Sequence, residues 1–386
     1  MRALIACVVL LGGCDRVFGL AWDASIYDAP TCFGKSGEQG AGLLRVCFTD
    51  VVADELTLPA SISTDDPPSP ACTQIVHQDD LLRTEVCVIA AHHLSVVNGV
   101  VLRGKRPVVL IGFEALTVSS YLDASTHRGA GNMLGPAAND ASCVTTANDG
   151  NDSNTGGSGA AGGSFQTLGG TGGMGSTSGT SQAGGVAAAA QPLSYIRGGC
   201  RGGKGGSGTG SVAPGPFGSS GGALYLISGD RLEITGAINA SGGGGGGGTK
   251  SNVNGGSGAG GGGGGSGGLI GLDAPHIVLA ATAQLVANGG GGGGGGGGMG
   301  AGNTGGQDGR EPVVSGGTFP YVGAGGALGL PGGNDGGDGG VYMLAPGKGK
   351  NASGGGGGGG GSVGYIAIYT TDLADAGALL SPQRVP

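Results

Sequence analysis

Residues that could carry out chemistry are spread thinly along the chain. The charged candidates are Glu114, Asp123, Asp230, Arg231, Glu233 and Asp273, and a histidine pair lies at His92 and His93. Glycoside hydrolysis or lyase chemistry needs at least two such groups converging on one face. These residues stand one or two to a segment, at turn-like or outward strand positions. The sequence therefore favours a solvated outer face and predicts no catalytic residue.

Metal-ligating patterns are incomplete. Asp335 and Asp338, in GGNDGGDGG, partly match a calcium-binding nonapeptide, but the motif is not repeated in tandem. A zinc site would have to use Cys72, His77, Cys87, His92 and His93. Their spacing fits none of the usual zinc templates. We expect no metal site and no cofactor, with Asp335 and Asp338 as the remaining calcium candidates.

Glycine dominates the composition. It supplies 99 of 386 residues, charged residues are 11%, and the formal net charge is −8. A collagen triple helix would need glycine at every third position and abundant proline, and the sequence has neither. The acidic balance gives no footprint for nucleic acid. Enough aliphatic residues remain for the chain to bury a core.

The N-terminus has the order of an export signal. Residues 1–13 contain Arg2, an apolar run and two glycines, and Cys14 follows at once. Leu11 to Cys14 is similar to the bacterial lipobox, which predicts a lipoprotein signal peptide and a lipidated tether over residues 14–31. Several acyl chains on Cys14 would give stable anchoring in a membrane of the cell envelope. The alternative is an ordinary cleaved signal peptide. We expect the protein at the outer membrane or the cell surface. Asp15, directly after Cys14, instead resembles a signal that retains lipoproteins in the inner membrane.

Cysteine usage agrees with export. Six cysteines follow Cys14, namely Cys32, Cys47, Cys72, Cys87, Cys143 and Cys200. An even number in an oxidising compartment predicts disulfide bonds. Six cysteines allow 15 pairings, and neighbours in sequence are the natural partners.

Aliphatic residues repeat at a fixed spacing. Val86, Val88, Leu94, Val96 and Val100 fall on Val108, Leu110, Leu116, Val118 and Leu122, and related copies begin near Leu224, Ile270 and Ile366. Aliphatics two apart indicate strands, and the breaks GFEA, SGDR and DAPH indicate turns. Such units cannot bury their own apolar faces, whereas stacked units can. The pattern predicts an all-β, right-handed parallel β-helix, or solenoid. The alternative is a β-sandwich with disordered glycine-rich loops.

Glycine-rich inserts separate the copies and set the domain boundaries. We expect a cysteine-containing β region with two coils over 32–125, a glycine-rich insert over 126–221, further coils with polyglycine loops over 222–373, and a tail over 374–386. Runs such as 289–298 would be flexible if isolated. Held side by side, they could instead form polyglycine II, an extended helix with three residues per turn that bonds only to its neighbours.

Several stretches together resemble a known group of proteins. They are the lipobox with GCDRVFGL, CF…GLLRVCF, LTVSSYLDAS, LEITGAINASGGGGGG and GGCRGG. They look like an uncharacterised group of glycine-rich, lipobox-bearing secreted lipoproteins of myxobacteria. The resemblance implies location at the envelope and brings no activity or catalytic residues.

A passive role at the envelope agrees best with these features. We expect a non-enzymatic structural or adhesive lipoprotein. Its partners would be the membrane, through the lipid anchor, and extracellular polysaccharide or a neighbouring cell surface. Self-association is open, and no nucleic acid is expected. A β-helical polysaccharide-active enzyme and an ice-binding protein are the alternatives.

Overall fold

The computed structural model describes a chain built from β-strands and extended segments. The described residues are 31–35, 42–50, 52–65, 72–79, 84–128, 133–143, 147–176, 181–210, 212–254, 256–298, 305–312 and 332–385. Among them there is no helix, and so none long and apolar enough to cross a bilayer. The predicted signal peptide, Cys14 and the predicted tether as far as residue 30 lie outside the described residues.

The strands are short, apart from two. In chain order they are β1 (Thr31–Phe33), β2 (Val46–Phe48), β3 (Ala53–Thr57), β4 (Ser61–Ser63), β5 (Gln74–His77), β6 (Glu85–Val96), β7 (Val100–Arg103), β8 (Val108–Val118), β9 (Tyr121–Asp123), β10 (Ala223–Ser228), β11 (Arg231–Ile234), β12 (Ala237–Asn239), β13 (Leu269–Asp273), β14 (His276–Leu279), β15 (Gln284–Val286), β16 (Tyr365–Tyr369), β17 (Asp372–Asp375) and β18 (Leu379–Ser381).

A small unit contains the described residues 31–32 and 46–50. Its described part contains most of the two-stranded sheet β1–β2, which the Cys32–Cys47 disulfide crosslinks. All the other strands belong to the second unit, residues 33–45 and 52–386.

The second unit contains two larger sheets. In the ten-stranded sheet, β16, β13, β10, β8, β11, β14 and β17 lie in that order, and β3, β5 and β6 join beside β8. The six-stranded sheet has the order β18-β15-β12-β9-β7-β4. Parallel pairing follows from the repeat, because equivalent strands of successive copies run in the same direction. The aliphatic core includes fully buried Leu110, Leu226 and Ile238.

The expected right-handed parallel β-helix is wrong. GFEA, predicted as a turn, lies inside β8, which pairs with β10 through its first half and with β11 through its second. Because no turn breaks β8, two predicted faces join into one sheet that curls like half a barrel. Residues 32–125 and 222–373 thus contain curled sheets in place of solenoid coils. The sandwich alternative is also wrong, because every described strand pair in these sheets except β5–β6 is parallel.

The register of the repeat is correct except where a bulge intervenes. Leu224 pairs with Val108 and Ile270 with Leu224, as the spacing predicts. In β6, however, Cys87 and not Val86 pairs with Val108. Between the pairs Ala91–Gly112 and His93–Ala115, one residue of β6 lies opposite two of β8. This bulge in β8 shifts the register by one, and Leu94 then pairs with Leu116 as expected. The shifted register places Cys87 and Ile89 in the main core cluster, whereas Val86 and Val88 are fully buried outside it.

The predicted tail is part of the fold. Within residues 374–386, β18 pairs with β15, so that Leu380 pairs with Leu285. Val385 then forms a bridge to Ala367 of β16. The last copy therefore continues beyond Leu373, where the sequence pattern faded because Ala378, Leu379 and Leu380 blur the alternation.

Three disulfide bonds join cysteines that are neighbours in the sequence. They link Cys32 to Cys47, Cys72 to Cys87, and Cys143 to Cys200. The second attaches the segment before β5 to β6 in the ten-stranded sheet. The third closes a glycine-rich stretch of the chain over a sequence separation of 57. Closing a long loop removes much entropy from the unfolded chain, so this disulfide stabilises the folded arrangement of the stretch.

Candidate functional site

The glycine-rich segments pack together as an ordered bundle. We use the name glycine bundle for the described residues outside the strands within 147–222, 240–268, 288–310 and 332–364. Most of its glycines are buried, including all those in 260–268 and 289–297. The described parts of the loops are therefore packed, in contrast to the disordered loops of the alternative considered from the sequence.

Residues 260–268 lie at the centre of the bundle, with six neighbouring segments. Successive N–H groups donate hydrogen bonds to three different neighbouring segments, and successive C=O groups accept hydrogen bonds from three others. Residues three apart bond to the same segment. The donated bonds run from Gly260, Gly263 and Ser266 to Gly206, Gly203 and Cys200, from Gly261 and Gly264 to Gly356 and Gly359, and from Gly262 and Gly265 to Gly246 and Gly243. The accepted bonds come from Gly215 and Gly218, from Ala160 and Gly163, and from Gly293 and Gly290.

This arrangement has a physical cause in backbone geometry. A three-residue period without bonds inside the segment is the geometry of a polyproline II-type helix. Each buried N–H that finds a carbonyl contributes about 0.5–1.5 kcal/mol net, and one left unpaired would cost about 1–3 kcal/mol. A segment surrounded on all sides satisfies every group, so the bundle is stable only as a whole.

Close approach leaves no room for a side chain. A Cβ atom on Gly263 would lie 1.8 Å from the carbonyl oxygen of Ala161, and one on Gly262 would lie 2.0 Å from that of Pro216. Both obstacles are backbone atoms, which cannot rotate away. The glycines are thus required by the packing distance.

A charged cluster fastens one insert to the six-stranded sheet. Asp123, at the end of β9, lies 2.9 Å through Oδ2 from His127 Nε2, and His127 Nδ1 lies 3.5 Å from Glu311 Oε2. Glu311 also accepts a hydrogen bond from the backbone N–H of Arg128, whose guanidinium lies 3.4 Å from Asp308. We call these five residues the charged clamp. It joins residues 305–312 to the chain that follows β9.

Ser125, next to the clamp, completes the residue types of a catalytic triad with His127 and Asp123, but the electrostatics differ from those of a triad. Ser125 Oγ lies 3.1 Å from His127 Nε2, and its hydroxyl donates a hydrogen bond to Asp123 Oδ1. Hydrogen bonds to Asp123 and then Glu311 raise the pKa of His127 to about 10, against the opposing effect of burial. At neutral pH the ring is an imidazolium whose two N–H groups face carboxylates. An imidazolium has no free ring nitrogen to take a proton from Ser125, whose hydroxyl bonds to Asp123 instead, and the arrangement is that of an ion-pair network.

A cavity of about 310 Å³ borders the clamp. Its walls include His127, Arg128, Asn139, Phe217 and Ser219. Asn139 already bonds to Ser219 Oγ and to the N–H of Ser220, and Arg128 donates to the carbonyl of Gly244. These polar groups are thus largely used by the protein itself.

A second charged group is buried beside the Cys143–Cys200 disulfide. The Arg197 side chain is 3% exposed, lies 3.8 Å from Asp140, and donates to Ser142 Oγ at 2.9 Å. Its guanidinium lies over the ring of Phe165. Neither this group nor His127 was identified from the sequence. The spacing of Asp123 and His127 was the only local signal, because Glu311 is remote in the chain.

The structure brings several candidates for enzymatic chemistry together in small, exposed groups. Glu114 lies 3.5 Å from His92 and 3.4 Å from His93 on an exposed surface, and His276 lies between exposed Asp230 and Asp372. Arg231 and Glu233 pair with each other at 3.1 Å.

Two of these candidates differ from the solvated outer face expected for them. Asp123 is part of the charged clamp. Asp273 is fully buried and accepts hydrogen bonds from Tyr225 Oη at 2.8 Å and from the N–H of Lys35 at 2.7 Å. It fastens the chain before β2 onto the ten-stranded sheet. Burial, followed by the charge of Asp273, raises the pKa of Tyr225 well above its ordinary value.

The metal candidates have other partners. Asp335 forms an ion pair with Lys350 at 2.7 Å, and Asp338 is exposed. Cys72 and Cys87 form a disulfide and offer no thiolate. Over the described ranges, no three His, Cys, Asp or Glu side chains are arranged to hold a metal ion.

Replacing a central glycine tests the bundle. Gly263→Ala should lower the free energy of unfolding by about 1–3 kcal/mol or more, because the methyl group meets a backbone oxygen. The matched control is Gly99→Ala, where an added Cβ would have no atom within 4 Å. Its effect should stay within about 0.5 kcal/mol. Urea unfolding of both variants measures the difference, and equal stabilities would contradict the close packing.

The charged clamp should stabilise the fold in a pH-dependent way. Because folding raises the pKa of His127 from 6.5 to about 10, its stabilisation is complete below 6.5, declines above that value, and is lost as the pH rises through about 10. The stability difference between wild type and His127→Gln should follow this course in urea unfolding at about pH 6, 8 and 10.5. His77→Gln is the control for loss of an imidazole. A difference that does not change with pH would show that the ring is uncharged.

Comparisons of the chain with protein-family models, with curated proteins and with solved structures each find no match. Function has therefore to be inferred from the geometry and chemistry of the chain itself.

Proposed function

We propose that the protein is a non-enzymatic structural or adhesive lipoprotein of the cell envelope. The observation that carries the proposal is the glycine bundle, in which segments remote in sequence bond to one another through their backbones at the centre and leave polar backbone groups at the surface. A bundle of this kind is stiff, and between Ser251 and Gln307 the only acidic or basic side chain other than histidine is Asp273.

Adhesion by this protein would use backbone groups. Gly184 and Lys348 lie in outer segments, and their N–H and C=O groups form no hydrogen bond within the described residues. Such groups can bind hydroxyl groups of matrix polysaccharide or extended chains on a neighbouring cell. A stiff display of many weak contacts gives avidity without a deep pocket.

Lipid attachment at Cys14 would place this bundle at the membrane. A tether of about 17 residues between Cys14 and the first described strand reaches at most about 60 Å when fully extended. The protein would therefore act close to the surface that holds it.

Substitution of Cys14 tests the anchor. Cys14→Ala should abolish incorporation of labelled palmitate and move the protein from the membrane fraction to the soluble fraction, because the thiol that carries the lipid is gone. Cys7→Ala, in the signal segment, is the matched control and should keep both label and membrane association. Continued labelling of Cys14→Ala would place the anchor elsewhere.

Loss of the protein should weaken cell cohesion. A deletion strain should adhere less to other cells and to matrix polysaccharide, and the wild-type gene or Gly99→Ala should restore adhesion. Gly263→Val should fail to restore it even when the protein reaches the envelope, because the bundle is broken. The measurement is an agglutination and surface-binding assay with protein levels checked by immunoblot. Unchanged cohesion in the deletion strain would count against the adhesive role.

A further inference from the structure

A groove opens on the glycine bundle between two bonded segments. The N–H of Asn148 donates to the carbonyl of Val186 at 3.2 Å, and Asn151 Nδ2 donates to the carbonyl of Ala183 at 2.8 Å. Residues 147–149, 151, 183–186 and Arg201 line a cleft of about 530 Å³ beside this pair. We call it the Val186 groove. It lies where two outer segments of the bundle meet, and apart from Arg201 no residue of the other described segments lines it.

The groove contains backbone N–H and C=O groups of a kind that are hydrogen-bonded to neighbouring segments at the centre of the bundle. Neither N–H nor C=O of Gly184 or of Asp149 bonds to any described residue. At the centre of the bundle, groups of this kind bond to a neighbouring segment at every third residue. The groove is therefore a vacant position in the same lattice, and an extended segment placed there would satisfy these groups.

Side chains add apolar and acidic character to the groove. Val186 is 60% exposed. Asp149 accepts a hydrogen bond from the N–H of Lys204 but forms no ion pair within the described ranges. The other charged side chain in the lining, Arg201, lies over the ring of Phe217 at 4.5 Å. An occupant should therefore present an apolar group and a cation.

A projecting hairpin on the same chain has these properties. Val341 and Leu344 bond to each other, and Met343 and Leu344 are 70% and 68% exposed, the two highest values among the large hydrophobic residues described as exposed. We call Tyr342–Leu344 the apolar tip. Tyr342 has a φ of +52°, and its N–H donates to Ser381 Oγ at 2.9 Å, which holds the tip outward.

The segment that follows the tip, residues 346–350, is extended and partly unsatisfied. Gly347 donates to the carbonyl of Asp338, and Gly349 to that of Thr171. The backbone of Lys348 between them bonds to no described residue, and its ammonium forms no ion pair there. Lys350, in contrast, is already paired with Asp335. With respect to the described part of the chain, residues 346–350 thus offer the unpaired ammonium of Lys348 and its unbonded backbone groups beside an exposed apolar tip.

We propose that the apolar tip and residues 346–350 of one copy of this chain dock in the Val186 groove of a second copy. Met343 and Leu344 would cover Val186, Lys348 would pair with Asp149, and the backbone of residues 346–350 would bond to the open groups of Gly184. The three complementarities, apolar, ionic and backbone, select a second copy as the occupant. The contact deepens the structural role proposed above and rests on it, since joined bundles would form a continuous layer.

Substitutions on the two surfaces test the contact in the full-length chain in detergent solution. Val186→Asp alters the groove and Leu344→Asp alters the tip. Val253→Asp is the matched control, because Val253 is 45% exposed and lies on neither surface. Sedimentation velocity should show association of wild type and of the control, and weakening by at least about tenfold in each of the other two variants.

An equimolar mixture of the two variants supplies the decisive measurement. The intact tip of Val186→Asp can enter the intact groove of Leu344→Asp, so the mixture should form a one-to-one complex although each variant alone is impaired. The proposal is overturned if wild type is monomeric at about 100 μM, if either variant associates like wild type, or if the mixture does not associate. Cohesion assays remain a separate measurement. A monomeric protein in a strain that needs it for cohesion would reject this contact and leave the adhesive role standing.

Discussion

The close contact of one peptide backbone with another is the constraint on which the rest of this structure depends. At the centre of the glycine bundle, every residue of 260–268 lies against neighbouring backbone, and an added Cβ would lie about 2 Å from carbonyl oxygens at Gly262 and Gly263. Hydrogen bonding and close packing are here the same interaction. The high glycine content is therefore a packing requirement.

The sheets make this contact attainable. Strands β9, β12 and β15 end side by side, and the hydrogen-bond row continues into the chain beyond them, from Ala124 to Asn239 and from Ala240 to Val286. Where glycine segments lead back into the sheet, at the starts of β13 and β16, the N–H of Leu269 donates to the carbonyl of Gly222 and the N–H of Tyr365 to that of Gly268. The aliphatic core thus determines where each glycine segment leaves and re-enters. Isolated glycine segments would lose conformational entropy without compensation, whereas aligned ones gain neighbours at once.

Much of the strand register could be read from the sequence, because alternating aliphatics report which side chains face inward. The curl of the sheet could not be predicted, since Gly112 and Ala115 look like turn residues and only the pairing of β8 with two strands shows that they are not. The bulge in β8 after Gly112 also escaped detection, because Val86 and Cys87 are both acceptable in a core. His127 and Glu311 are far apart in sequence. Nothing local indicates that the fold brings them together.

Uniform glycine segments raise a question of specificity that the polar residues at the rim answer. A segment of identical residues could slide by three positions past its neighbours and recover the same hydrogen bonds, so the lattice alone does not define a register. Residues with side chains remove this degeneracy. Asp149 and Asp152, three residues apart, accept hydrogen bonds from the N–H groups of Lys204 and Ser207, which are also three apart. The charged clamp fixes residues 305–312 in the same way. The glycines supply cohesion, and these few polar side chains select one arrangement among many of nearly equal energy.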